Sequence, residues 1–104
     1  MSKVYFTDRR AKSHYNMLDK LEHVLREMGF LDAIEDGEKV MVKTHFGQWG
    51  NTNYIRPAYV RKAVQLIREA GGIPFVSESC GLGYGEGGKY GGRTTAPEYL
   101  AMAE

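Results

Sequence analysis

The sequence is poor in the residues that announce the commoner chemistries. Its one cysteine, Cys80, allows no internal disulfide and falls short of the about four thiolates that an iron–sulfur cluster takes. A lone thiol fits a reducing, cytoplasmic setting. Neither sign of charge dominates: 14 Lys and Arg against 13 Asp and Glu leave a net charge of +1, and the basic residues are scattered. That gives no electrostatic footprint for nucleic acid. No apolar run approaches the ~20 residues of a membrane-spanning helix, so no membrane partner is expected. No internal repeat is present. With 104 residues, 42% hydrophobic and 26% charged, the chain fits a single small globular domain covering residues 1–104.

Glycine, by contrast, is abundant and unevenly placed. Gly81, Gly83, Gly85, Gly87, Gly88, Gly91 and Gly92 all fall within residues 78–95, which also hold Cys80; the whole chain has 13 glycines. A loop this long and glycine-rich is costly to order, so it marks function or disorder. It follows a short apolar run and precedes Thr95 with Glu98 three residues on, a capping-box pattern for a last helix containing Tyr99, Leu100 and Met102.

Upstream, strand-like and helix-like periods alternate. Lys3–Thr7 is short, β-branched and aromatic, and ends at the polar cluster Asp8-Arg9-Arg10. A helix is predicted from an N-cap at Ser13 to a C′ residue at Gly29, with Met17, Leu18, Leu21, Val24, Leu25 and Met28 on one face. After a turn at Asp36-Gly37, residues 39–45 alternate Val40, Val42 and Thr44 against Met41, Lys43 and His45, as a strand does. Pro57 suits the first turn of a second helix and Gly71-Gly72 its end, with Val60, Ala63, Val64 and Ile67 as the buried stripe. Ile73–Ser77 reads as a third strand, and Pro74 assigns it an early or edge position. The order predicts an α/β fold of βαβαβ type, a mainly parallel sheet of three or more strands flanked by helices with right-handed crossovers.

A parallel sheet gathers the carboxyl ends of its strands on one edge, where α/β proteins build ligand sites. Thr7, Asp8 and Arg9, then His45 to Asn53, then Ser77 to Cys80 are expected there. The predicted crevice contains Lys43, His45 and Cys80, with Asp8 and Arg56 at its margin. Cys80 and His45 suit a thiolate nucleophile with its base, Lys43 or Arg93 supplying positive charge. They also suit two ligands of a metal, with Asp8, His14, His23 or Glu78 as the further ligands needed to reach three or four. Against both stands the ordinary role of a lone cysteine, a small buried hydrophobe. Asn51, Thr52 and Asn53 supply donors ahead of the second helix, and with Arg56 they suit a carboxylate or phosphate; otherwise they merely satisfy backbone groups. Gly83-x-Gly85-x-x-Gly88 matches a dinucleotide fingerprint by letter, but does not open directly into a helix. Gly83-x4-Gly88-Lys89 nearly matches a phosphate loop, but Tyr90 stands where Ser or Thr holds magnesium. An anion can still rest on backbone N–H groups around Gly83 and Gly85, beside Arg93, or at the helix start at Thr95.

Val42-Lys43-Thr44-His45-Phe46-Gly47, Gly50-Asn51-Thr52 and Tyr54-Ile55-Arg56-Pro57 together resemble the amino-terminal part of the domain of unknown function 362. So do Ala70-Gly71-Gly72, Pro74-Phe75-Val76, and Cys80-Gly81-Leu82 ahead of Thr95-Ala96-Pro97-Glu98. The resemblance implies an uncharacterised, iron–sulfur-centre-associated family of longer α/β proteins, often with a ferredoxin-like cysteine cluster downstream. With one cysteine, this chain would share such a cluster only through a longer relative; its own cofactor stays open. The expected function is a ligand-binding or redox-associated module, the amino-terminal part of a larger domain, acting with further chain, a partner or a second copy. The alternative is a small self-sufficient enzyme acting on an anionic metabolite through the Lys43, His45 and Cys80 crevice.

Overall fold

The fold is known from a computed structural model, which describes residues 2–45 and 52–78. In chain order it forms helix α1 (Met17–Glu27), a 3-10 turn (Leu31–Ala33), strand β1 (Lys39–Lys43), helix α2 (Pro57–Glu69) and strand β2 (Ile73–Ser77). The chain divides into two compact units. One comprises Met1–Val42 and Arg56–Phe75, the other Lys43–Ile55 and Val76–Glu104.

Both helices end as their glycines dictate. Beyond α1, Gly29 has φ +69°, with its N–H donating to the Arg26 carbonyl at 2.9 Å and the Phe30 N–H to Leu25 at 3.2 Å. Beyond α2, Gly71 has φ +93°, its N–H donating to Arg68 at 3.0 Å and the Gly72 N–H to Ile67 at 2.9 Å. These are two Schellman motifs, each satisfying carbonyls that the helix leaves without partners. Pro57 occupies the first turn of α2, where a missing N–H costs nothing.

The start of α1 differs from expectation. The N-cap is Asn16, not Ser13: its side chain accepts from the Leu18 N–H at 2.8 Å and the Asp19 N–H at 3.4 Å, while the Asp19 carboxylate accepts from the Asn16 N–H at 2.7 Å. Asn16-x-x-Asp19 closes this box with an acid three residues on, whereas Ser13 has Asn16 at that position.

The strands form a two-stranded parallel sheet. The Ile73 N–H donates to Glu38 at 2.7 Å and the Thr44 N–H to Ser77 at 3.1 Å, so Lys39 lies beside Ile73 and Lys43 beside Ser77. In this register Pro74 directs its missing N–H away from β1, the position a strand proline tolerates. The predicted third strand at Lys3–Thr7 is not present. That segment lacks regular structure, with Val4 90% and Phe6 86% exposed. A strand exists only by pairing its N–H and C=O groups with a neighbour, and these residues have none among those described.

In the first unit the core is small: Leu31, Leu66 and Ile67 are the buried apolar residues. Gly72 lies so close to it that a Cβ there would come within 2.9 Å of both Ile34 and Ile67 methyl carbons. Ion pairs add to the contact between helices. Glu22 on α1 binds Lys62 of α2 at 2.5 Å and Arg26 of its own helix at 2.7 Å. Lys20 is buried, and its ammonium donates to both the carboxylate and the carbonyl of Asp8. The Lys20 hydrogen bond, helped by the Arg10 N–H, holds the Asp8 carboxyl below its ordinary range. Hydrogen bonds from Lys62 and then Arg26 do the same for Glu22.

Folded-state values below unfolded ones mean that the unfolded chain binds more protons in acid. The stabilisation is therefore present above the ordinary carboxylate values of about 4 and is lost as pH falls through them. Thermal unfolding followed from about pH 7 to about pH 3 should show a midpoint that drops mainly below about pH 4. The double variant Asp8→Asn, Glu22→Gln should show a shallower drop, and an equal drop would contradict the assignment.

Candidate functional site at the carboxyl edge of the parallel pair

The last residue of β1 and the first residue after β2 meet in the second unit. Lys43 Nζ donates to Glu78 Oε1 at 2.8 Å. The two side chains differ sharply in exposure, 53% for Lys43 and 4% for Glu78. Lys43 lies beside Ser77 and Glu78 follows directly on β2, which brings the two residues close together at the carboxyl end of the pair. Thr44 is itself buried, and its N–H extends the ladder one bond beyond β1 by donating to Ser77.

A buried carboxylate is tolerated only with strong compensation, since removing a charge from water costs several kcal/mol. The lysine supplies a charge-assisted hydrogen bond while its outer half stays solvated. The arrangement fixes one end of a flexible side chain on a β-sheet edge. Chemically it provides an oriented ammonium whose other N–H groups remain available to an oxygen acceptor.

Of the residues expected at the site, the structure describes part. Lys43 is the last residue of β1, which ends two residues before the expected His45. His45 is exposed two residues further on, and Thr52 and Asn53 are exposed in the same unit. Asp8 and Arg56 belong to the first unit. Asp8 is held there by Lys20, and Arg56 is the N-cap of α2, with no side-chain capping bond from that position. Asn51, Cys80, Gly83, Gly85, Arg93 and Thr95 lie outside the described residues, as do the rest of the Gly-rich loop and the predicted last helix. Among the described residues no three His, Cys, Asp or Glu side chains gather as metal ligands.

Glu78 carries more weight here than the sequence assigned it, which was only that of a supplementary metal ligand. Its signal was available in principle: an acid directly after one parallel strand, opposite a lysine that ends the other. Reading it required the register, which alternation alone does not supply. Elsewhere, a cleft of about 400 Å³ in the first unit has Arg26 as its one cation, and that guanidinium already binds Glu22 at 2.7 Å. An apolar groove of about 170 Å³ in the same unit offers no charged lining.

Replacing Lys43 by Met removes a charged partner from a carboxylate whose side chain is only 4% exposed. The expected loss is about 1–3 kcal/mol, below the ~3–5 kcal/mol for a fully buried pair because Lys43 is half solvated. Urea unfolding at neutral pH measures it, and an unchanged midpoint would show that the pair contributes nothing.

The matched region covers this edge. No curated protein and no solved structure matches the chain. Among the described residues no helix is long and apolar enough to cross a membrane. Residues 40–102, beginning within β1 and containing both Lys43 and Glu78, match the family described as a domain of unknown function (DUF362), and the chain belongs to that family.

Proposed function

We propose that the chain is a ligand-binding module of the DUF362 family whose site is the carboxyl edge of the β1–β2 pair, and that the ligand is a small organic anion. The observation that carries this reading is the Lys43–Glu78 pair, a lysine anchored at 2.8 Å by a buried carboxylate. A lysine kept only for solubility has no need of such an anchor, which gives up side-chain freedom and buries a charge. The location agrees, since open parallel sheets bind ligands beyond the carboxyl ends of their strands. Thr52, exposed in the same unit, is a further polar group for the ligand.

A redox association within the family is compatible with this reading. One cysteine does not fit the thiolate count of an iron–sulfur cluster, so any such centre would be carried by other protein. Dependence on further protein, a second copy included, draws support from the sheet. Met41, Ile73 and Phe75 share one face of it and are 54%, 53% and 47% exposed. Three large apolar groups side by side, each about half exposed, form a surface that proteins usually cover.

Titration of the full chain with a panel of small carboxylates and phosphates, followed by amide chemical shifts, tests the function. Saturable shifts at Lys43, Thr44 and Glu78, lost in Lys43→Met, are expected; shifts that survive that substitution would contradict the site. Sedimentation of the same sample at micromolar concentration should reveal self-association, and a strictly monomeric chain that melts cooperatively would argue against the need for further protein.

A further inference from the structure

The ammonium at this edge is not a bare positive charge. We propose that Glu78 is its specificity-determining residue, cancelling one charge so that Lys43 receives a singly charged carboxylate in preference to a doubly charged phosphate. This rests on the ligand-binding reading above and goes further, to the chemical class of the ligand.

The geometry carries the argument. An ammonium has three N–H donors. One is directed at Glu78 Oε1 at 2.8 Å, and among the described residues Lys43 has no other partner. The Lys43 side chain is 53% exposed, so an oxygen acceptor can reach it from solvent without displacing Glu78. An exposed glutamate would swing into water when an anion arrived. Glu78 has no such escape, because its side chain is 4% exposed and follows directly on β2.

Lysine and glutamate together therefore present a strong donor with no net charge. A ligand with one negative charge gains the charge-assisted hydrogen bond while meeting one carboxylate a short distance behind it. A second negative charge on the same small ligand meets that carboxylate again, with no second cation from the pair to offset it. Coulomb repulsion at such separations is weakly screened when one of the charges is buried. Discrimination thus comes from a repulsive element built beneath the attractive one.

The test compares acetate with inorganic phosphate on the full chain at about pH 8, where phosphate is mostly the dianion, by amide chemical shifts, for the native protein, Glu78→Gln and Lys43→Met. Glutamine keeps the size and one hydrogen-bonding oxygen but removes the charge. The native chain should bind acetate more tightly than phosphate. Glu78→Gln should raise phosphate affinity relative to acetate by about tenfold, and Lys43→Met should lose both. If Glu78→Gln does not fold, the native preference alone decides, and tighter binding of phosphate overturns the proposal. An acetate-to-phosphate ratio unchanged in Glu78→Gln also overturns it, while leaving the ligand-binding reading intact. Failure of both anions to bind every form removes that reading and this proposal together.

Discussion

Lys39 lies beside Ile73 and Lys43 beside Ser77, and that register decides which groups meet at the carboxyl edge. The side-chain period of a strand is two residues, so a slip of one would change which residues lie beside Lys39 and Lys43. Several features hold the register. The Gly37 N–H donates to Gly71 at 2.9 Å, tying the turn before β1 to the turn before β2. Gly71 takes a left-handed backbone there, and a Cβ on it would come within 2.9 Å of the Asp36 carboxylate. Gly72 then passes against Ile34 and Ile67 with no room for a side chain. The two glycines end α2 and launch β2 at one height relative to β1.

Within the first unit, the packing combines a small apolar core with a chain of charges. Leu66 and Ile67 are almost wholly buried, yet most of the apolar stripe of α1 is only half covered. Glu22 therefore has a structural role, joining Lys62 of α2 to Arg26 of α1. Such pairs on a partly wet surface contribute modestly one by one, and more as a network held between two capped helices. Lys20 serves a different end: buried on α1, it pins Asp8 and with it the segment that leads into the helix.

Much of this was legible in the residues, because the relevant signals are local. Glycine after a helix, proline at its first turn and alternation in a strand each depend on a few neighbouring dihedrals. Gly29, Gly71, Pro57 and the run Ile73–Ser77 accordingly fall where the pattern places them. Strand β1 ends at Lys43, two residues short of the expected His45, since Thr44 contributes the last ladder bond. Asn16 displaced Ser13 because two residues with capping side chains lay close together and only one had an acid three positions on. Lys3–Thr7 has the composition of a strand, but composition cannot provide a pairing partner. The Lys43–Glu78 pair depends on contact across a separation of 35 residues, which no local pattern encodes.

Lys43 and Glu78 act as one unit in the proposed site. A double-mutant cycle with Lys43→Met, Glu78→Gln and the double variant, each unfolded in urea at neutral pH, measures that coupling directly. The account predicts a coupling of about 1–3 kcal/mol, with the double variant more stable than the sum of the single losses implies. Strict additivity would mean that the two groups stand side by side without acting on each other, and would contradict it.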